Sequence, residues 1–546
     1  MDRFKEPARG SRDWYAYEAI RTLPAIIQLV DKNRYSKTYG CFDREYWHYR
    51  TVDFPCGMSQ EMCLPLALAY AHDFGGQNPY AGNARLRDLA IAGIEFAGKI
   101  THPDGSTDDY FPFERALGAH VFSTYAMTEA YQVLGLDRPD LVDLFRLRGD
   151  WLIANNESGQ LANHQAFAAL ALWNVYEITG EAKYKERSDH FRDICLSWQH
   201  AEGWFQEYEG SDPGYHSCSI AFLGRLYAKS RDEKLVEPLS RAVEYATYFL
   251  HPDGSYAGEY GSRNTYHFYA YGFEVMARHT PWAGRIAQTV LEKMLPDRRR
   301  YHNEDNRMIS HCVIDWMQAW IAYDAEHRDG LVHDHRGPFT RWFDDARLFV
   351  KKTDRYYAVV SLAKGGVIKV FDESGPLYSD TGLIARTAGG DVLVSHMVDD
   401  YELEVDERSG TLRARGEMKK RRHQLSDPLK QIAFRGMNLT LGRLNPHLVR
   451  STLQKVLITG KPRSDARFAR TIELGDEGVV IHDRIDISGS DLSLESLACG
   501  SDATSIYVAN SNVFQESVLC PWIELDEHVE AVNAQRLVDL PPRRVV

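Results

Sequence analysis

This chain of 546 residues contains no CxxC pair and no apolar run long enough to span a membrane. Its eight cysteines lack the dense spacing of a disulfide-stabilised scaffold, so we expect mostly buried free thiols. The amino terminus carries scattered charges and lacks the apolar core of a signal peptide. These absences predict a cytoplasmic protein that does not bind membranes, or a secreted or periplasmic one if a leader has been removed.

Positive charge is also scarce, because 77 acidic side chains outnumber 64 basic ones and leave a formal net charge of −13. That balance disfavours nonspecific binding to nucleic acid, although a locally positive cleft can still hold an anionic substrate. Apolar residues make up 44% of the chain and charged residues 26%, as in a globular protein large enough for two or three domains. Aromatic residues reach 12%, which suits stacking on sugar rings as well as large cores.

Residues 1–330 are predicted to form successive helices, and several of the loops between them end in histidine at a period of roughly 50 residues. These histidines are His120, His164, His216, His267 and His311. An earlier loop ends in Gln60 and opens an apolar helix in the same manner. A repeat of this length is typical of stacked helical hairpins.

The predicted helices alternate between two kinds. Segments 85–100 and 233–250 are amphipathic with charged outer faces, whereas 166–178 and 312–323 are apolar all round, as fully buried helices are. Six such pairs favour closure into a ring, because an open solenoid would expose one inner face. We therefore predict an (α/α)6 toroid over residues 1–330.

The second part of the chain has a different period. From about residue 331 the apolar pattern changes from helical spacing to alternation. Segments 356–372 and 469–487 are typical of hairpin strands joined by glycine turns, and 411–418 alternates as well. Helices first and strands second predict separate domains, so we expect an antiparallel β-sandwich domain over residues 331–546.

Loops that precede the inner helices should gather at one end of the ring, where their last residues would share a cleft. These residues are Gln60, His120, His164, His216, His267 and His311. A single histidine at a repeated position often packs or caps, but five in series favour a binding cleft. Long polar loops at 102–115, 203–216 and 251–267 could carry the chemistry.

Turn formation does not explain three dipeptides in these loops: Asn163-His164, Tyr215-His216 and Arg263-Asn264. Amide and guanidinium groups donate hydrogen bonds to a carboxylate. Histidine at a helix N-terminus favours its neutral, basic form, and tyrosine can supply a proton as an acid. Because a neutralised carboxylate makes the adjacent carbon acidic, these groups together suit β-elimination at a uronic acid.

The same segments resemble the heparinase II/III-like polysaccharide lyases and the related alginate lyases. The resemblance lies in Asn163-His164 at the start of an inner helix, in GSDPGYH with Tyr215, and in YGSRNTYHFYAYGFE at 260–274. It implies a toroid followed by an antiparallel β-domain over nearly the whole chain. It also implies that loop 42–61 borders the substrate cleft, with contacts from Tyr46, Trp47, Tyr49 and Gln60.

Residue roles follow from the resemblance as expectations. Asn163 would neutralise the uronate carboxylate, and His164 would assist it or act as base for one epimer. Tyr215 would be the acid, and also the base when the proton and the leaving group lie on the same side of the sugar. Further substrate contacts would come from His120, His216, Arg263, Asn264, His267 and His396.

One motif departs from the family pattern. Members usually carry a His-x-His-Ala-Asp-like segment in the β-domain, whereas the nearest match here, SHMVDDYELEV, has His396 and no second histidine. We therefore predict no cofactor and no metal, since ligand spacing does not support a structural divalent metal in the β-domain. The other histidines expected to be structural or exposed there are His423, His447, His482 and His528.

Other functions remain open at this point. A glycoside hydrolase on the same ring would need two carboxylates beside the bond, and the loops offer Asp108, Asp109, Glu114, Glu207 and Glu259. A uronyl C5-epimerase would share the proton abstraction without cleavage, and a non-catalytic sugar-binding protein would need neither step. The uronate, the choice of endo or exo action and the oligomeric state are not indicated by the sequence.

Overall fold

A computed structural model describes residues 5–156, 159–295, 307–421, 427–445, 462–502 and 515–545. Helices occupy the described chain up to Ala322, and strands begin at Phe339. The predicted fold class, a helical toroid followed by an antiparallel β-domain, is confirmed. Two of the histidines expected to be structural, His423 and His447, lie outside the described residues.

Twelve helices of the described ranges build the ring. In chain order they are α1 (Asp13–Leu29), α2 (Cys63–Ala71), α3 (Ala84–Ile100), α4 (Leu117–Val133), α5 (Pro139–Ala154), α6 (Ala162–Thr179), α7 (Ala182–Ser197), α8 (Pro213–Ser230), α9 (Val236–Ala246), α10 (Tyr271–Met276), α11 (Pro281–Thr289) and α12 (Ser310–Ala322). Even-numbered helices are the inner ones, and each contacts the next. Because α12 also contacts α2, and α1 packs on α12, the ring is closed.

Composition decides which helix lies inside. The inner helix α8 is buried along almost its whole length, so it needs apolar neighbours on every side. The outer helix α9 buries Leu239 and Val243, while Glu237 and Arg241 form an ion pair of 2.7 Å on its other face. The alternation that the sequence predicted therefore corresponds to two concentric layers.

The β-domain consists of two antiparallel sheets. The first is a meander of β1 (Phe339–Phe343), β2 (Leu348–Lys352), β3 (Tyr357–Ser361), β4 (Val367–Asp372) and β5 (Gly375–Asp380). The second contains β6 (Gly382–Thr387), β7 (Val392–Val394), β8 (Glu402–Asp406), β9 (Thr411–Arg421), β10 (Arg463–Leu474), β11 (Val479–Asp486), β12 (Leu494–Gly500), β13 (Ile523–Glu524), β14 (Leu537–Asp539) and β15 (Arg543–Val545). A helix outside the ring, α13 (Pro428–Met437), lies between β9 and β10 in the chain, and α14 (Val529–Gln535) precedes β14.

The two sheets pack face to face, as a sandwich requires. Side chains of the first sheet such as Phe349 and Ile368 share a buried cluster with Leu412 and Ile472 of the second. Beside this apolar layer, the buried guanidinium of Arg470 is held by two carboxylates, which is the condition under which a buried charge is tolerated. The carboxylates belong to Asp380 and Asp483, at 3.0 and 2.8 Å.

The thiols and the helix lengths agree with the compositional expectations. All eight cysteines lie within the described ranges as free thiols, and each except the half-buried Cys520 is buried. Among the described residues, no helix combines the length and the apolar character that crossing a membrane requires.

Candidate active site

The inner-helix histidines do not all face the mouth of the ring. The His120 ring is fully buried and donates from Nε2 to the carbonyl oxygen of Arg148 on α5, at 3.1 Å. The His216 ring donates in the same way to Ala242 on α9, at 2.8 Å, and burial lowers its pKa to about 4. These rings fasten inner to outer helices, which corrects the expectation that they contact substrate.

His311 has a third arrangement, at the point where the ring closes. Its Nε2 lies 3.0 Å from the Glu61 carboxylate near the start of α2, and its ring stacks on Phe122 at 4.5 Å. The pair connects the last inner helix to the first. Of the five histidines of the repeat, two remain: His164 follows Asn163 in the chain, and the His267 ring contacts the Tyr215 ring.

Asn163 lies in the first turn of α6, where it is fully buried against Glu207. Its side-chain Nδ2 lies 2.7 and 2.8 Å from the two Glu207 carboxylate oxygens, and its backbone N–H donates to one of them at 3.1 Å. The residue preceding α6, Leu161, has no side-chain acceptor, so a carboxylate from the following loop caps this helix. The Asn163 amide is thereby fixed in one orientation.

Glu207 also receives a guanidinium. Arg263 Nη1 lies 3.2 Å from Glu207 Oε2, and both side chains are almost completely buried. Burial raises the pKa of the Glu207 carboxyl, while Arg263 and the Asn163 amide oppose that shift. The two oxygens of one carboxylate lie too close together for each to accept a different N–H of the same side-chain amide. One N–H of Asn163 therefore points at Glu207, and the other is left for another acceptor.

Tyr215 completes the group. Its ring lies 4.0 Å beneath the Arg263 guanidinium, and the His267 ring stands nearly perpendicular to it at 5.1 Å. Asp212 holds both residues, because its carboxylate accepts the backbone N–H of Tyr215 at 3.0 Å and that of Arg263 at 2.9 Å. Asn163, Glu207, Arg263, Tyr215 and His267 thus form one continuous set of contacts, which we call the mouth cluster.

The electrostatics of the mouth cluster keep the phenol protonated. Burial raises the pKa of Tyr215 well above its usual value, and Arg263 only partly offsets that shift. Tyr215 retains 9% of its surface and Arg263 5%, whereas Asn163 and His267 are fully covered. Tyr215 is therefore the acid that a ligand at the mouth would meet first.

His164 is more exposed than the mouth cluster. It is half-buried and lies over Gly118 of α4, with its Cε1 only 3.0 Å from where a side chain of Gly118 would begin. It directly follows Asn163 in the chain, at the third position of α6. An imidazole and a protonated phenol are the two kinds of group that proton abstraction and proton donation need.

The predicted cleft segment is ordered by its own contacts. Trp47 donates its indole N–H to the Leu29 carbonyl at 2.8 Å, and Tyr46 is half-buried. Gln60 is fully buried and its amide lies 3.5 Å from the Cys56 carbonyl, so it supports the loop from below. Tyr49 is 57% exposed and is the member of this segment that a ligand could stack on.

The β-domain reaches the mouth cluster through a lysine that sequence reasoning missed. Lys364, after β3, is buried and donates from Nζ to the Asn264 side chain and to the carbonyls of Glu259 and Gly261. These acceptors flank Arg263. Asn264 is thus a buried support for the loop, and His396 is equally buried, with its pKa lowered to about 3 by burial and by Lys364.

The missed residues differ in how visible they were. Glu207 was considered only as an acid for a hydrolase. Two signals pointed to a further role: its loop precedes the inner helix α8, and Leu161, the residue before α6, has no side chain that could cap that helix. Lys364 has no neighbouring motif in the sequence and is recognised only by its contacts. Within the described residues, no group of three histidine, cysteine or acidic side chains has the geometry of a metal site.

A conservative change tests the link between Glu207 and Asn163. In Glu207→Gln the shape is kept but an amide NH2 faces two donors, so we expect kcat to fall about tenfold, the cost of one charge-assisted hydrogen bond. Initial rates of unsaturated-product formation would measure this, with Glu202→Gln before the same loop as the control. Complete loss of sugar cleavage with unchanged folding would instead indicate that Glu207 is itself the acid.

Comparisons with known proteins place the fold. No protein-family model and no curated protein matches the chain. The chondroitin AC lyase of Streptomyces coelicolor A3, solved with chondroitin sulphate, superposes with a TM-score of 0.55 over 91% of this chain and 69% of its own, at 10% identity. A heparan sulfate lyase of Pedobacter heparinus gives 0.42 over 91% and 72%, at 9% identity. An unsaturated glucuronyl hydrolase specific for heparin gives 0.38 over 57% and 97%, also at 9% identity.

Proposed function

We propose that this protein is a polysaccharide lyase that cleaves a uronic-acid-containing polysaccharide or oligosaccharide by β-elimination. The mouth cluster is the observation that carries the proposal. It brings a fixed amide, a guanidinium and a protonated phenol into contact at the end of a toroid, with an accessible imidazole beside them. Those are the groups that elimination beside a carboxylate needs.

The first step is neutralisation of the uronate carboxylate. Arg263 and the remaining N–H of Asn163 would donate to its oxygens, in the manner in which they already donate to Glu207. Neutralising the carboxylate stabilises the carbanion-like state at C5, so the C5 proton becomes more acidic. Glu207 and Asp212 hold the two donors in place during this step.

The second step is proton transfer and bond cleavage. We assign His164 as the base that takes the C5 proton, since it is half-buried whereas the His267 ring is fully covered. The C–H electron pair becomes the C4=C5 double bond as the C4–O bond breaks. Tyr215 gives its phenolic proton to the departing oxygen, a role that its raised pKa favours.

A glycoside hydrolase is the alternative function for the same loops. Its five carboxylates, all buried and bonded within the protein, are Asp108, Asp109, Glu114, Glu207 and Glu259. Their partners are, in the same order, His102 at 2.9 Å, Arg307 at 3.1 Å, the Tyr110 backbone N–H at 2.8 Å, Asn163 with Arg263, and Lys369. A hydrolase needs two of these carboxyl groups beside the cleaved bond: one to protonate the leaving oxygen and a second on the opposite face of the sugar ring.

A substrate screen tests the proposal directly. The purified protein would be incubated with chondroitin sulfate, heparan sulfate, hyaluronan and alginate while absorbance is followed near 235 nm, where an unsaturated uronate is expected to absorb. Chondroitin sulfate comes first, because a lyase of similar fold binds it. A new absorbing product supports the lyase. Chain shortening without absorbance supports a hydrolase, and deuterium uptake at C5 without shortening supports an epimerase; binding without either change supports a sugar-binding protein.

A further inference from the structure

The Arg263 guanidinium of the mouth cluster lies against a second aromatic ring, which belongs to Tyr208. The central carbon of the guanidinium is 5.0 Å from the centre of the Tyr208 ring and 4.0 Å from that of the Tyr215 ring. Both separations are within about 6 Å, the range in which a cation is attracted to the face of an aromatic ring. Tyr208 is not among the residues that the sequence predicted for the site.

A tight turn presents the Tyr208 ring. Glu207 and Gly210 exchange two backbone hydrogen bonds of 3.2 Å, and Tyr208 and Glu209 are the two residues between them. Glu209 has a φ of +63°, in the left-handed region that residues other than glycine seldom adopt. Backbone in such a region persists only where the surroundings support it, and it is frequent at functional sites. Because Glu207 is fixed by capping α6, the turn that carries Tyr208 is fixed with it.

The loop before α6 leaves room for this ring. A side chain at Gly159 would begin 2.7 Å from Tyr208 Cε1 and 3.3 Å from the Tyr208 hydroxyl oxygen. Carbon atoms that are not bonded to each other pack at about 3.5–4.0 Å, so any larger residue at position 159 would push the ring away. Glycine therefore allows Tyr208 to contact both this loop and Arg263. The ring is half-buried, so part of its surface remains exposed.

The guanidinium benefits from this support because its ion pair is long. Arg263 Nη1 lies 3.2 Å from Glu207 Oε2, whereas charge-assisted hydrogen bonds usually measure about 2.7–2.9 Å. The bond from the Arg263 backbone N–H to Asp212 fixes the main chain and not the plane of the side chain. Stacking on an aromatic ring sets that plane and directs the N–H groups at its edge towards an acceptor.

We propose that Tyr208 is a positioning residue, which holds the plane of the Arg263 guanidinium so that its edge meets the carboxylate of the uronate. This inference rests on the proposed function for the reaction in which Arg263 takes part. Its own content is that Tyr208 acts through Arg263, and that it does so with its ring and not with its hydroxyl group. Tyr215, by contrast, donates its hydroxyl proton.

Steady-state kinetics of three variants test the role of the ring. We expect Tyr208→Leu to lower kcat/KM about tenfold, because the guanidinium loses a stacked ring and its orientation. Tyr208→Phe keeps the ring, so its kcat/KM should stay within about twofold of the parent. Gly159→Ala pushes the ring without removing it, and kcat/KM should fall about threefold.

A double-mutant cycle tests whether Tyr208 acts through Arg263. Calorimetry would measure binding of hyaluronan, chondroitin sulfate, heparan sulfate and alginate tetrasaccharides in a Tyr215→Phe background, which prevents turnover. We expect Tyr208→Leu to weaken binding of the preferred tetrasaccharide about fivefold. In an Arg263→Lys background the further loss should be less than about twofold, since an ammonium group has no plane to be held.

The control is Tyr323→Leu, which removes a similar ring elsewhere. Tyr323 is stacked 4.0 Å from the Arg328 guanidinium, and that guanidinium pairs with the buried Glu274. Like Tyr208 it is half-buried, but it follows the last residue of α12, at the end of the ring opposite to the mouth. Tyr323→Leu should have the activity of the parent, and thermal unfolding of both leucine variants would show how much stability each loses.

The outcomes separate the two proposals. Cleavage with Tyr208→Leu within twofold of the parent, or with equal losses in the arginine and lysine backgrounds, would overturn the role of Tyr208 and keep the lyase. Equal losses in Tyr208→Phe and Tyr208→Leu would also overturn it, since the hydroxyl group would then be responsible. Coupled binding without cleavage by the unmodified protein would keep Tyr208 and remove the lyase.

Two further results would count against Tyr208. If Tyr208→Leu does not fold, Gly159→Ala decides the matter, and a kcat/KM equal to that of the parent would overturn the proposal. Absence of binding to all four tetrasaccharides, together with absence of cleavage, would overturn both proposals.

Discussion

Tyr215→Phe is expected to lower kcat on a uronate polysaccharide by about 10²- to 10⁴-fold, the usual contribution of a positioned acid. The ring and its contact with Arg263 stay in place, at 4.0 Å, so only the phenolic proton is lost. Without that proton the departing oxygen leaves as an alkoxide. The measurement is the initial rate of absorbance near 235 nm, expected for an unsaturated uronate.

The control is Tyr227→Phe on the same helix. Tyr227 belongs to the far end of α8, where its hydroxyl lies 3.0 Å from His279 Nε2, away from the mouth cluster. The two variants lose the same atom from the same helix, so a difference between them reports chemistry and not folding. Full activity in Tyr215→Phe would remove the phenol from the mechanism and with it the proposed acid.

Lys364→Met is expected to lower kcat about 10- to 100-fold and to destabilise the protein by about 2–4 kcal/mol, since buried acceptors lose their donor. Lys364 is 1% exposed and bonds to the loop on both sides of Arg263. Without the Lys364 ammonium, the β-domain no longer fixes the loop that carries the Arg263 guanidinium. Lys364 is thus a positioning residue, and steady-state kinetics together with thermal unfolding would measure both effects.

A pH profile distinguishes positioning from loss of stability alone. Burial lowers the pKa of Lys364 to about 8, with Glu259 and Asp212 opposing and Lys369 assisting the shift. As pH rises through about 8, the ammonium loses one of the three protons that bind its acceptors, so kcat of the parent should decline. This limb should be absent in Lys364→Met and present in Lys351→Met, a lysine of the neighbouring strand β2. An identical alkaline limb in all three proteins would show that Lys364 does not position the loop.

Local pattern was sufficient for the architecture. Helices that are apolar on one face alternate along the chain with helices that are apolar on every face. This alternation predicted paired outer and inner helices and a closed ring, because a helix that is apolar on every face has to be surrounded. The change to alternation near residue 331 predicted the β-sandwich by the same reasoning. The sequence also pointed to Asn163, Tyr215 and Arg263, since polar groups that turn chemistry leaves unexplained stand out in an apolar repeat.

Tertiary structure decided where those side chains point. His164 and Tyr215 are the third residues of α6 and α8, whereas His120 and His216 are the fourth residues of α4 and α8. One residue turns the side chain by about 100° around a helix axis, so the third position faces the mouth and the fourth faces the outer helix. Helix starts are determined by caps, and here one cap is Glu207, from a loop in the next repeat. Apolar periodicity is a property of consecutive residues and can be recognised in the sequence. A cap from another repeat, or the hydrogen bonds from Lys364 to the Arg263 loop, form only when distant segments meet.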